Sequence, residues 1–179
     1  PQHLRVKRGM TRTFQITTLF AGLTVLESVM LAICERKGLH NRMLRSLASH
    51  RDEIEEAMAL LSLLKLADEA QLPTRTLAYG RQRLVEIALA LATRPKVLLL
   101  DEPAAGIPSA ESAELFEAIA SLPRDVSILF IEHDMNLVFR FAERITVMAG
   151  GEILCEGSPE QIAADQRVRE VYLGEAEHV

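Results

Sequence analysis

Asp101 and Glu102 stand side by side after four unbroken aliphatics, Val97 to Leu100, and Pro103 follows at once. An aliphatic run of that kind predicts a strand buried on both faces, with its acids emerging at the carboxyl edge of a sheet. Proline cannot donate to a ladder, so the strand ends there and leaves both carboxylates at its tip. A second apolar run, Val126 to Ile131, ends in Glu132-His133-Asp134. Ligands of open parallel sheets bind outside the carboxyl ends of the strands, which places His133 near the two acids if both strands share that edge. One acid to hold a hydrated Mg²⁺, one to polarise a water and a histidine to reach a phosphate make a set suited to phosphoryl-transfer hydrolysis. The competing reading is a strand end with solvated acids and a histidine that bonds only locally. Gly80 is a third candidate, because it opens a predicted helix whose first amides lack partners and form an anion site. Arg81 in that first turn opposes the helix dipole by roughly 0.3–1 kcal/mol. A bound phosphate would reverse that sign, whereas a solvated exposed arginine needs no ligand.

The elements that must position these residues follow from the pattern on either side. Residues 9 to 20 have no clean period and read as a loop that holds Gln15 between apolar neighbours. Thr24-Val25-Leu26-Glu27 is a capping-box start, with Val25, Val29 and Ile33 on one face of a helix running to about Arg36. Lys37 to Ser49 reads as a basic connector. From Arg51 a second helical stripe predicts Ile54, Met58, Leu61 and Leu64 inward, with acids in the first turns where the macrodipole favours them. Leu72 to Thr76 is a break, and RQRLVEIALALATR after Gly80 is a helix that stops at Arg94, before Pro95. A further helix, Ala110 to Leu122, joins the two apolar strands, so strand, helix and strand form a parallel crossover unit. Met135 to Phe141 is a helix. Ile145 to Met148, Gly150-Gly151 and Glu152 to Cys155 read as a hairpin. Ser158-Pro159 starts one short helix and Asp165 caps another.

With 179 residues, 49% hydrophobic and 25% charged, the chain can build one soluble domain with a real core. A net charge of −5, from 20 basic and 25 acidic residues, lacks the concentrated basic stripe that nucleic acid requires. The run His3, Arg5, Lys7, Arg8, Arg12 reads as a solvated face. Cys34 and Cys155 lie far apart with no metal-type spacing, which fits a reducing cytosol. No signal peptide is expected, and the low-charge stretch from Ile16 to Cys34 makes a poor membrane span.

RTFQ, LAYGRQR, VLLLDEP and IEHDM, in that order and with those intervals, resemble the nucleotide-binding domain of ABC transporters. The resemblance is closer still to the ATPase subunits of branched-chain amino-acid importers, carried by GMTRTFQ with LTVLESV, by LAYG, by DEPAAG and by the tail EGSPEQIAADQRVREVYLG. It implies an α/β fold, a partial P-loop NTPase of mainly parallel sheet with a helical subdomain. Residues 1–16 would be the Q-loop entry segment, 17–93 the helical subdomain with the signature motif, and 94–179 the C-terminal part of the ATPase core. Gln15 matches the Q-loop glutamine, serving both metal and catalysis. Leu77, Ala78, Tyr79, Gly80 and Arg81 match the signature that contacts nucleotide, Asp101 the metal ligand, Glu102 the base and His133 the switch histidine.

The implied cofactors are ATP and Mg²⁺. The implied partners are transmembrane permease subunits and a second ATPase subunit, identical or a sister, with no nucleic acid. The implied location is the cytoplasm, peripheral on the inner face of the cell membrane. The function implied is the ATP-hydrolysing subunit of an importer for branched-chain amino acids or similar small polar solutes. The alternatives are an ABC ATPase for lipid, lipopolysaccharide or urea, and a non-catalytic regulatory or interaction module.

Several positions depart from the pattern. Ala78 stands for the usual signature serine and Arg81 for a glutamine, Leu89 replaces a common arginine, and Ile107-Pro108-Ser109 replaces the usual D-loop polar residue. No GxxxxGKS/T occurs; by family spacing that loop would lie roughly 30 to 40 residues before Pro1. Pro1 and a start in mid-pattern predict a piece of a longer protein, one not expected to bind or hydrolyse ATP alone. Leu19, Phe20 and Leu23 are expected to receive a short helix of the membrane partner.

Overall fold

The computed structural model describes residues 2–13, 19–39 and 50–173. Gln15 and most of the basic connector lie outside the described residues. The chain divides into two compact units, Pro1–Ile131 and Glu132–Val179.

In the first unit, helix α1 (Gln2–Lys7) leads into strand β1 (Met10–Arg12). β1 corrects the sequence reading, which made residues 9 to 20 a loop, whereas Arg5, Lys7 and Arg8 are exposed, as the reading of a solvated basic face has it. Three residues are too few to carry a period, and β1 exists because its backbone finds a ladder on β2 (Val97–Asp101), with Thr11 opposite Leu98 and Arg12 opposite Leu99. On its other side β2 pairs with β3 (Ser127–Ile131), again in parallel, so the order is β1-β2-β3. The helix between them, α5 (Ser109–Ala120), buries Phe116 edge-on to the Phe130 ring at 5.2 Å. Thr11, Leu98 and Leu100 are buried on one face of this sheet. The other face is open: Met10, Leu129 and Ile131 are exposed. Burial of β2 on both faces, as expected from its aliphatic run, is therefore not what the structure has; Val97 and Leu99 are only half-buried.

Helix α2 (Val25–Arg36) has the predicted capping box between Thr24 and Glu27, and Val25, Val29 and Ile33 are fully buried. Helix α3 (Arg51–Leu63) turns a slightly different face inward than the stripe predicts. Ala57, Leu61 and Leu64 are buried, whereas Ile54 and Met58 are half-buried, because Glu53 takes the inner position and bonds Lys37 at 2.8 Å. The break at 72–76 is tied back to the start of α2. Val25 N–H donates to the Leu72 carbonyl and Thr74 N–H to that of Leu23, and the buried Thr74 hydroxyl donates to the Phe20 carbonyl. Helix α4 (Tyr79–Ala92) packs on α2, α3 and α5 and delivers the chain to β2.

The second unit holds α6 (Met135–Phe141), whose N-cap Asp134 accepts from the amides of Asn136 and Leu137. Strands β4 (Ile145–Ala149) and β5 (Glu152–Gly157) form the expected antiparallel hairpin. Its two-residue turn has φ of 59° at Gly150 and 85° at Gly151, the left-handed pair that matches strand twist and that glycine adopts without a Cβ penalty. Helix α7 (Pro159–Ala164) starts in a Ser158–Gln161 capping box, and Asp165 caps the short α8 (Gln166–Val168). Leu137, Val138, Ile145, Val147, Ile162 and Val168 are the buried apolar residues of these elements.

Candidate functional site

Asp101 is the last residue of β2 and lies opposite Ile131, the last of β3. The next amide, that of Glu102, donates to the Ile131 carbonyl at 2.9 Å, so the two strand tips are tied together. Glu102 itself has φ 44°, a left-handed conformation that costs a side-chain-bearing residue about 1–2 kcal/mol. Such strain persists where the surroundings over-determine it, and it is typical of functional turns. The chain then folds back through hydrogen bonds from Ala105 to the Glu102 carbonyl and from Ile107 to that of Ala104.

Arg12 answers the Asp101 carboxylate directly, its Nη2 donating to Oδ2 at 2.6 Å. Arg12 faces Leu99, and Asp101 lies two residues beyond Leu99, so the period of two puts both side chains on one face of neighbouring strands. Sequence reading missed this partner; the only available signal was the alternation in Met10-Thr11-Arg12. Among the described residues no cluster of three or more His, Cys, Asp or Glu is arranged to hold a metal. One hard carboxylate at a strand tip still suits Mg²⁺, which keeps most of its waters and takes its remaining ligands from phosphate.

The segment 77–81 lies against the turn that follows Glu102. A Cβ on Gly80 would stand 2.8 Å from Glu111 Oε2 and 3.5 Å from Ile107 Cγ2, and one on Gly106 would stand 3.4 Å from Tyr79 Cε1. A glycine at 80 thus lets the first turn of α4 approach the first turn of α5. Ala78, the N-cap, has no side chain able to cap the helix, so the amides of the first turn are not taken by it. Leu77 is buried, and its carbonyl accepts from Gln82 Nε2 at 2.9 Å. The Tyr79 hydroxyl accepts from Arg83, which pairs with Glu86 at 2.8 Å in the interior. Arg81 is engaged elsewhere: its guanidinium bonds both Glu69 oxygens, at 2.8 and 2.5 Å, and the Lys65 carbonyl. Its positive charge is thereby answered within the α3–α4 connection.

The structure therefore brings Asp101, Glu102 and the 77–80 segment into one neighbourhood of the first unit. His133 belongs to the second unit, two residues past the end of β3, with a side chain 76% exposed and Nδ1 3.9 Å from Glu132 Oε2. Glu111 is a neighbour that sequence reading did not single out; it placed Arg12 only in a solvated basic run and noted Ile107 only as a departure in the D-loop.

A parallel sheet with paired acids at a strand tip, flanked by an uncapped helix start, is the architecture of a nucleotide-binding cassette. Residues 1–105 match the family model for ABC transporters, and residues 152–178 match that for branched-chain amino acid ATP-binding cassette transporters. The chain is 39% identical over 185 residues to the high-affinity branched-chain amino acid transport ATP-binding protein BraF of Pseudomonas aeruginosa, a match covering 98% of the chain and 72% of that protein. It is 40% identical over 177 residues to LivG of Escherichia coli K12, covering 95% of the chain and 69% of LivG. The structure of the ADP conformation of MJ1267, an ATP-binding cassette of an ABC transporter, superposes with a TM-score of 0.75 at 28% identity, covering 97% of this chain and 71% of that one.

This chain belongs to the ABC transporter family of ATP-binding subunits. Its last stretch is similar to the C-terminal ending of the branched-chain amino acid group. Subunits of this family bind nucleotide, work with permease components and dimerise. No helix among the described residues is long and apolar enough to cross a membrane.

Proposed function

We propose that this chain forms the ATP-hydrolysing part of an ABC importer for branched-chain amino acids, working with membrane permease subunits and a second ATP-binding subunit on the inner face of the cell membrane. The observation that carries the cargo is the match of residues 152–178 to the branched-chain model, beside relatives at 39–40% identity that bear that name. Asp101 is the residue to hold Mg²⁺, and a bound Mg²⁺ neutralises charge on the phosphates. Glu102 accepts the proton of the attacking water, a task that requires an ionised carboxylate at the strand tip. His133 donates to the terminal phosphate, and Gln15 serves the metal and the water. The start of α4, with amides that Ala78 leaves uncapped, takes a phosphate through the residues 77–80. Arg81 holds that start in place through Glu69.

The deciding experiment uses the assembled transporter. Leucine, isoleucine and valine uptake should depend on ATP, and Glu102→Gln should lower turnover by roughly 10²- to 10⁴-fold while ATP binding survives. Asp101→Asn should weaken ATP affinity and metal dependence together with the rate, because it acts on the ground-state complex as well. ATP-dependent export of lipopolysaccharide instead would replace the cargo reading. A Glu102→Gln variant that hydrolyses at the wild-type rate would remove the base assignment.

A further inference from the structure

Tyr79, Arg83 and Glu86 follow one another along α4 at spacings of four and three residues, which puts them on one face of the helix. Arg83 is 4% exposed and Glu86 9%, and charges taken that far from water need their partners. Arg83 Nη1 donates to Glu86 Oε2 at 2.8 Å, and Nη2 donates to the Tyr79 hydroxyl at 2.7 Å. The guanidinium carbon also stands 5.0 Å from the centre of the Tyr79 ring, within cation–π range. Tyr79 is the first residue of α4 and is 40% exposed, and Arg83 anchors both its hydroxyl and its ring to the interior. The ring in turn meets the loop after β2: its Cε1 lies 3.4 Å from the point at which a Cβ on Gly106 would stand. Gly106, at φ 76°, lies in the turn that Glu102 opens at φ 44°. Ala105 N–H donates to the Glu102 carbonyl at 3.0 Å and Ile107 N–H to that of Ala104 at 3.1 Å, so a displacement at Gly106 is carried back to Glu102.

We propose that Arg83 is a positioning residue for hydrolysis. By fixing the Tyr79 ring against Gly106 it holds the turn from 102 to 107, and with it the Glu102 carboxylate, in the geometry from which the acid takes a proton from water. A base works only within hydrogen-bond reach of that proton, and a misplacement of about 1 Å costs on the order of 10²-fold in rate. A left-handed glutamate keeps its conformation only where its surroundings over-determine it, and the Tyr79 ring is one of those surroundings. Arg83 reaches the reaction only through this turn, so its effect falls on the chemical step and not on ATP affinity. A buried ion pair that merely stabilised α4 would change the stability of the protein and leave the rate of its folded form alone. The inference rests on the reading of Glu102 as the base.

Single-turnover hydrolysis and ATP affinity, measured on the assembled transporter, test it. Tyr79→Leu, at a part-exposed position, should slow hydrolysis by roughly 10- to 100-fold with ATP affinity within about twofold of the wild type. Tyr79→Phe keeps the ring under the guanidinium and should recover most of that loss. Arg83→Met alone would strand the buried Glu86 charge, so Arg83 is tested with Glu86→Leu in the same chain, a replacement that leaves no unpaired charge in the interior. The pair should slow hydrolysis as Tyr79→Leu does, and adding Tyr79→Leu to it should lower the rate no further. In a Glu102→Gln background Tyr79→Leu should cost less than about twofold, because the group it positions is already lost. A Tyr79→Leu protein that hydrolyses at the wild-type rate, one that loses affinity in step with rate, or one slowed as much in the Glu102→Gln background would overturn the proposal with the base reading intact. A Glu102→Gln protein at the wild-type rate would overturn both.

Discussion

Glu102 combines two features that are separable by substitution, a carboxylate and a left-handed backbone at φ 44°. Glycine adopts that conformation without the Cβ clash that a glutamate meets. Glu102→Gly should therefore leave thermal stability unchanged or raise it by up to about 1 kcal/mol, although it removes the acid. Glu102→Val should lower stability, since a β-branched residue tolerates positive φ least. Chemical denaturation of the three proteins would measure the order, and a glycine variant less stable than the valine one would show that the turn is not strained. The Arg12–Asp101 pair shows a different economy. Arg12 is more than half exposed, so the pair adds less than about 1 kcal/mol to stability. Its effect is to hold the Asp101 carboxylate in one position at the strand tip.

At the scale of elements, Glu56 on α3 joins three segments. It accepts bonds from Arg36 of α2 at 2.8 Å and from Arg94, just past α4, at 2.9 and 3.1 Å, with Lys37 at 3.4 Å. Burial works to push the Glu56 carboxyl up, yet Arg36 and then Arg94 outweigh it and hold the group below its ordinary 4.5. The hydrogen bond from Lys37 likewise holds Glu53 down, and the same bond lifts Lys37. A depressed carboxyl stabilises the fold above its unfolded pKa and loses that contribution as pH falls through the folded value; a raised lysine does the reverse at the alkaline end. The helical packing should thus weaken below about pH 4.5 and again above the ordinary lysine range. Glu56→Gln should cost about 1–3 kcal/mol near neutral pH and flatten the acid limb of a stability-versus-pH curve. An acid limb as steep as that of the wild type would place the sensitivity elsewhere.

At the scale of the molecule, the 179 residues contain no GxxxxGKS/T, the loop whose amides and lysine cradle phosphates. Purified as such, the chain should show no ATP turnover and at most weak nucleotide affinity. Stoichiometric Mg-ATP binding in a calorimeter would contradict this. Phe20 is 65% exposed, and the Thr74 hydroxyl bonds its carbonyl. The backbone is held while the ring meets solvent, which is the condition for an apolar contact with a partner. Phe20→Asp should fold normally and, in the assembled transporter, reduce coupled uptake much more than nucleotide binding. A misfolded Phe20→Asp variant would mark the ring as part of the core.

The sequence by itself determined those parts whose cause lies within a few consecutive residues. The capping boxes at Thr24 and Ser158, the glycine turn at 150–151, the strand that ends at Asp101 and the helix that starts beside Gly80 were all legible, because caps, turns and periods are local. Tertiary structure decided the rest. β1 is a strand only because β2 offers it a ladder. Leu129 and Ile131 are exposed although their composition reads as core, because no described element covers that face of the sheet. Arg12 and Asp101 meet across 89 positions of sequence. That meeting depends on the register between two strands, and a register is a property of the pair that neither strand's own residues state.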